Sequence, residues 1–247
     1  NFVGILHSSN IIAPITDTLK LRPDNSLGFI RIAPPEGFAL YQGKGRVFNK
    51  IDLSNRGLRA DGKVKYITSM TSSDDFYLFP DSMLTKSNLF TIDQQLAGIQ
   101  YPEAKGEVHS IKWYPKKEKF YAYQGEKPFE MFTNQARLNG NLLLGPLGLI
   151  GDGIVRLDNA RMISEKYEFN ANDFITDSTS LDLYAPNSDS VSFETIKLKA
   201  KIDFLSRQGT FDKRGVSIFA KMQPLRYETH LDGFIWGLDN NELTMST

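Results

Sequence analysis

The sequence predicts an all-β chain of antiparallel hairpins in two related units, arranged as a sandwich, an open β-roll or a short β-solenoid. Three observations carry that expectation. One pattern is written twice, 91 positions apart and without a gap: Phe38 falls on Phe129, Arg46 on Arg137, Gly57-Leu58 on Gly148-Leu149, Asp61-Gly62 on Asp152-Gly153 and Val64 on Val155. A fixed-period repeat marks a supersecondary block whose neighbours bury a shared core. Apolar and polar residues alternate with period two in many segments, most clearly in Ile196-Lys-Leu198-Lys-Ala200-Lys-Ile202-Asp-Phe204. Helical periodicity is almost missing, so helix content should fall well below the ordinary share of about one-third.

Each segment can be justified in order. Residues 1–37 are rich in turn formers (Pro14, Pro23, Pro34 and Pro35, with Gly28 and Gly37), and read as a lead-in with one or two strands and no core of its own. The first unit takes 38–128 and the second 129–247. In each, a strand enters (47–53; 138–144), a turn closes on Gly57 or Gly148, and the next strand leaves at 64–67 or 154–157. Gly62 and Gly153 follow an Asp, a step that suits positive-φ backbone, which Gly tolerates without steric cost. These four are expected to be structural turn glycines. Beyond them Asp75-Phe76 and Asp81-Ser82 match Asp173-Phe174 and Asp177-Ser178 at offsets of 98 and 96, as inserted loop residues would produce. Further strands are expected at 76–79, 108–113, 120–123, 216–219 and 233–237. In 196–204 the alternation predicts Ile196, Leu198, Ala200, Ile202 and Phe204 in a core, Lys197, Lys199 and Lys201 in water, and a turn over 206–209.

Composition excludes several function classes. Lys+Arg and Asp+Glu both number 29, for a net charge of zero. Phosphate-directed nucleic-acid binding normally needs a basic excess, so no nucleic-acid partner is expected. Cysteine is absent, which removes disulfides, thiolate metal sites and cysteine nucleophiles together. No Asn-x-Ser/Thr acceptor occurs. The longest apolar run, 142–150, contains Pro146 and two glycines and falls far short of the roughly 20 residues of a spanning helix. The chain opens on Asn1-Phe2-Val3 with no signal-peptide pattern, and reads as a processed form or an excerpt.

No catalytic, cofactor or metal constellation emerges. His7, His109 and His230 have no partner at ligand spacing, and His109, alternating with Ile111 and Trp113, reads as a strand histidine. The glycines of 148–153 match neither the dinucleotide fingerprint nor the P-loop. Acidic and polar clusters at Asp74-Asp75, Asp173 to Asp177, Asn187-Ser188-Asp189 and Asp239 to Glu242 lack calcium-loop spacing and read as turns between strands. No Gly-x-Ser-x-Gly elbow is present. What stands out is the aromatic stretch from Val108 to Phe132, interleaved with lysines. Trp113, Tyr114, Tyr121 and Tyr123 are its candidate partner contacts, because rigid aromatic side chains bury large area at low entropy cost.

The repeated Gly-Leu-x-(Ala/Gly)-Asp-Gly-x-Val stretch, the run-on through Asp-Phe and Asp-Ser, and Phe234-Ile-Trp236-Gly near the end together resemble large repetitive all-β envelope proteins of the Bacteroidota. The resemblance covers about residues 38 to 247 and rests on turn-and-strand signatures. Some proteins of that set are soluble partners of the type nine secretion translocon, including the subunit that plugs its channel. The resemblance implies a non-enzymatic protein of the periplasm or outer-membrane periphery. It would act by protein–protein contact in an export or assembly complex, without a cofactor. The alternative is a lipid- or glycan-binding β-groove module.

Overall fold

A computed structural model of the chain describes residues 2–8, 11–86, 89–185, 188–223 and 226–246. Among them there is no α-helix, only one 3-10 turn at Pro115–Lys117, and every described strand pairing is antiparallel. In chain order the strands are β1 (Phe2–Leu6), β2 (Ile15–Leu21), β3 (Leu27–Ile32), β4 (Phe38–Leu40), β5 (Gly45–Ser54), β6 (Gly57–Tyr66), β7 (Ser69–Leu78), β8 (Met83–Thr85), β9 (Leu89–Ile92), β10 (Ala104–Gly106), β11 (Val108–Tyr114) and β12 (Lys119–Gln124). They continue as β13 (Phe129–Met131), β14 (Ala136–Gly145), β15 (Gly148–Leu157), β16 (Ala160–Phe169), β17 (Asp173–Tyr184), β18 (Val191–Asp203), β19 (Gln208–Lys213), β20 (Ile218–Met222), β21 (Tyr227–Leu231), β22 (Gly233–Gly237) and β23 (Leu243–Ser246). The segment 1–37 thus holds three strands, where one or two were expected.

Two compact units form. The first comprises 1–93 and 105–126, the second 94–104 and 127–247, so residues 94–104 belong with the second unit and not with the first. In the first unit β1, β2 and β3 form a meander, and the sheet continues β3–β5–β6–β7. β7 then pairs with β9 over its first half and β8 over its second, and β8 leads on to β11 and β12. In the second unit the ladder runs β13–β14–β15–β16–β17–β18–β19–β22–β23, with β20 and β21 added along the first part of β18.

The repeat fixes both ends of four strands. β4 to β7 and β13 to β16 start and stop at positions that differ by 91 throughout. The hairpins β5–β6 and β14–β15 close identically, Ser54 opposite Gly57 and Gly145 opposite Gly148. The strands leave directly from these glycines and not at Val64 or Ile154, because Gly62 and Gly153 sit inside them, at bulges rather than at a second turn. All four glycines have positive φ: +87° and +125° at Gly57 and Gly148, +103° and +115° at Gly62 and Gly153.

The match also runs further than the sequence words indicate. Leu78 faces Met83 and Ser69 faces Ile92, as Phe169 faces Phe174 and Ala160 faces Leu183. The equivalence therefore stays gapless to Ile92 and Leu183, and the offsets of 98 and 96 are corrected. Asp75-Phe76 lies within β7, whereas Asp173-Phe174 opens β17 and matches Ser82-Met83. Phe76 and Phe174 are both fully buried, so two unrelated core phenylalanines each follow an outward Asp.

Both units also repeat a left-handed turn before their first long strand. Tyr41, Gln42 and Gly43 have φ of 49°, 62° and 85°; Phe132, Thr133 and Asn134 have 52°, 52° and 66°. The first residue of each is a buried aromatic. Tyr41 meets Trp113 edge-on at 4.9 Å, and Trp113 packs on Tyr66 and Phe120 at the centre of the first core. Burial pushes the Tyr41 hydroxyl well above its ordinary pKa, and that hydroxyl lies 2.7 Å from the Ser82 carbonyl it donates to. In the second unit Phe132, Phe169, Phe174 and Phe204 form one ring cluster, and Phe193, Phe211 and Phe234 another.

Candidate functional site

The aromatic hairpin β11–β12 divides its rings between two faces. Trp113 and Phe120 are cross-strand partners, and both are buried in the first core. Trp113 is therefore corrected from contact residue to core residue: a side chain with no exposed surface cannot anchor a partner without unfolding its own sheet. Tyr114, Tyr121 and Tyr123 occupy the opposite face, half-buried. Tyr121 stacks on Tyr123 at 6.1 Å and meets Tyr114 edge-on at 6.2 Å. Lys112 and Lys117 hold their ammonium groups 5.3 and 5.7 Å from the Tyr123 and Tyr114 ring centroids. These are ring contacts along and across the strands and cation–π contacts on a half-buried sheet face, each worth fractions of a kcal/mol to about 1 kcal/mol. His109 lies at a register shift between Val108 and Ser110 and points to solvent.

A concavity of about 740 Å³ in the second unit lies on the outer face of β16 to β19. Its origin is a set of breaks in pairing. Between β16 and β17 the register stops at Ile163–Ser180 and resumes at Glu168–Ile175. Between β17 and β18 it shifts three times, twice around Thr179 and once at Leu183–Tyr184, and Lys197 takes a φ of +59°. An extra residue in one strand bends it and reverses the facing of what precedes it. That is why Ile196, expected in the core, is exposed, while Leu198, Ala200 and Ile202 are buried as the alternation requires. Phe204 is buried too, but from the turn 204–207, and β19 begins at Gln208 inside the turn expected at 206–209.

The consequence is an apolar floor on a polar face. Ile163, Ile175 and Ile196 line the groove with 38%, 36% and 57% of their surface exposed. Lys166, Lys197, Lys199 and Lys201 surround them, with Glu165, Glu168, Asp177 and Asp212. Lys166 is paired with Glu168 at 2.5 Å, and that hydrogen bond raises its pKa. Lys201 lies 3.5 Å from Asp203 and 3.7 Å from Asp173. Among the described residues Lys197 and Lys199 have no carboxylate within ion-pair distance.

Beneath the floor the broken backbone pairs are replaced by hydroxyls. Ser164 and Thr176 meet at 2.8 Å, Ser164 donates to the Ser178 carbonyl at 2.8 Å, and Thr179 donates to the Ile163 carbonyl at 2.9 Å. All three are buried. Ser73 and Thr85 occupy the equivalent positions in the first unit. Sequence reasoning missed this cluster, yet the signal was present. Carrying the 91-residue offset past Val64 would have paired Ser73 with Ser164 and Thr85 with Thr176.

A second concavity of about 450 Å³ in the same unit is bordered by Arg137 and Arg156, directly opposite in register. Arg46 and Lys65 repeat that basic pair in the first unit. The acidic clusters serve the scaffold: Asp75 pairs with Arg59, Asp173 faces Lys201, and Asp239 is held below the usual carboxylate range by its hydrogen bond to Arg207. Asn187 of the 187–189 cluster lies outside the described residues. Among the described residues no three of His, Cys, Asp and Glu converge as a metal site, and no helix is long and apolar enough to cross a membrane. Compared with known proteins, the chain matches no protein-family model, no curated protein and no solved structure.

Proposed function

We propose that the chain is a non-enzymatic docking protein and that the groove on β16 to β19 receives its partner. The observation that carries this reading is the bulge at Lys197, which turns Ile196 out beside Ile163 and Ile175 and leaves Lys197 and Lys199 around them without an ion-pair partner among the described residues. Apolar centres with a polar rim are the usual anatomy of a contact patch. A protein segment with apolar side chains flanked by carboxylates complements it. With the resemblance of the repeated turns, we infer a periplasm-facing partner in an outer-membrane export or assembly complex. The same isoleucine floor and lysine rim would also suit an anionic lipid, which is the second reading.

A photo-crosslinking residue in place of Ile196, introduced in the native host, tests both. Adducts to one protein, lost in an Ile175→Glu background, support docking. Adducts to lipid establish the second reading. No adduct beyond the level obtained at the exposed Leu205 would overturn the groove as a binding site.

A further inference from the structure

The N-terminal meander of the first unit carries a second unpartnered surface, independent of the groove. Phe2, Val3 and Ile5 on β1 are 66%, 76% and 59% exposed, and Leu21 on β2 and Leu27 on β3 are exposed as well. β1 pairs with β2 alone, leaving one backbone edge open among the described residues. Natural edge strands are normally blunted by charge, proline or a bulge. β1 has none of these: it reads Phe-Val-Gly-Ile-Leu and keeps an unbroken register with β2 from Phe2–Leu19 to Leu6–Ile15. By contrast β21, which also ends its ladder, carries Glu228 and His230.

The order of residues identifies the occupant. About Gly4 the strand is a chemical palindrome, with β-branched Val3 and Ile5 inside and large Phe2 and Leu6 outside. We propose that β1 is an assembly edge on which a second copy of this chain pairs antiparallel, with Gly4 on the two-fold axis. In that register Val3 lies opposite the second copy's Ile5, and Phe2 opposite its Leu6. Apolar meets apolar at every step, and both backbone edges are satisfied at once. A two-fold contact is self-complementary and closes at two copies. A charged edge would meet its own charge across such an axis, whereas this one is uncharged and the whole chain has zero net charge. Nothing electrostatic opposes the pairing.

The absence of cysteine makes the register directly testable. Gly4→Cys places the only thiols on the axis, where facing Cα atoms are about 4.5–5.5 Å apart, within disulfide range. A side chain there meets only ordinary contact, Leu19 Cδ1 at 3.9 Å. Sedimentation of the unmodified full chain should show a concentration-dependent dimer, and mild oxidation should link the Gly4→Cys chains but not those carrying Leu21→Cys. The pair Val3→Lys and Ile5→Lys puts lysine opposite lysine and should weaken the dimer roughly a hundredfold or more, with circular dichroism unchanged. A monomer at every concentration, linkage through Leu21→Cys in preference to Gly4→Cys, or a dimer indifferent to the double lysine variant would each overturn the proposal.

Discussion

The hydroxyls of Ser164 and Thr176 meet 2.8 Å apart in the second unit, and at the matching positions of the first unit Ser73 and Thr85 meet at 2.6 Å. Each serine also accepts the backbone N–H two residues on, Lys166 or Asp75, at 3.1 Å. Hydroxyls thus stand where a bulge has removed ladder bonds. Ser164→Ala should cost about 1–3 kcal/mol in urea denaturation, because it strands buried partners. Adding Thr176→Val should restore part of that loss. Simple additivity would show that the two groups are uncoupled.

The paired glycines should separate by position. An added Cβ at Gly153 would lie 2.3 Å from the Asn139 carbonyl oxygen, while at Gly148 the nearest atom is 3.4 Å away. Both conformations resist L side chains, so Gly148→Ala should cost about 1 kcal/mol and Gly153→Ala clearly more. Thermal or denaturant midpoints check the order, and an inverted order would contradict the bulge geometry.

Leu198 and Ile196, two residues apart on β18, should respond oppositely to aspartate. Leu198 is fully buried, so Leu198→Asp adds an unpaired carboxylate to the core and should unfold the second unit. Ile196→Asp should change stability by less than about 0.5 kcal/mol, as exposed positions usually do. Equal sensitivity would mean that Lys197 is not bulged.

Acid should weaken the β18–β19 hairpin through Asp203. Its carboxylate accepts the Ser206 and Leu205 N–H groups at 3.0 and 2.9 Å, and these bonds, with Lys201 nearby, lower its pKa. A depressed carboxylate stabilises the fold above its unfolded value of about 3.9 and loses that contribution as pH falls through the folded value. The stability gap between the parent chain and Asp203→Ala should therefore be constant near neutrality and shrink below about pH 4. Because the group is still partly exposed to solvent, the gap should be small and salt-sensitive. Urea curves at several pH values would show it, and a gap that widens in acid would refute the assignment.

The architecture was legible wherever local rules and the fold agree. β22 coincides with the expected strand at 233–237, and β11 and β12 contain those at 108–113 and 120–123. Facing was legible only until a bulge intervened. Alternation counts residues, and the inserted position at Lys197 leaves no trace in the Ile196-Lys197-Leu198-Lys199 run while it reverses Ile196. Composition could not tell which face of β11 points inward, so Trp113 resembled a contact until its neighbours Tyr41 and Tyr66 were in place. The groove was illegible for the same reason: its floor is assembled by bulges in two strand pairs, from three isoleucines that are far apart in the sequence.

The two left-handed turns bear on the order of folding. Tyr41-Gln42-Gly43 relies on a glycine for one of its three positions, whereas Phe132-Thr133-Asn134 has none. Each non-glycine residue held there opposes its own preference by about 1 kcal/mol or more, so such a turn is a poor nucleus. Zippering should start at the Gly145–Gly148 end of β14 and β15, where the connection is two residues long. The β13–β14 corner should lock last, once Phe132 has a ring cluster to enter. Mutations at Phe132 are then expected to accelerate unfolding and leave the refolding rate nearly unchanged.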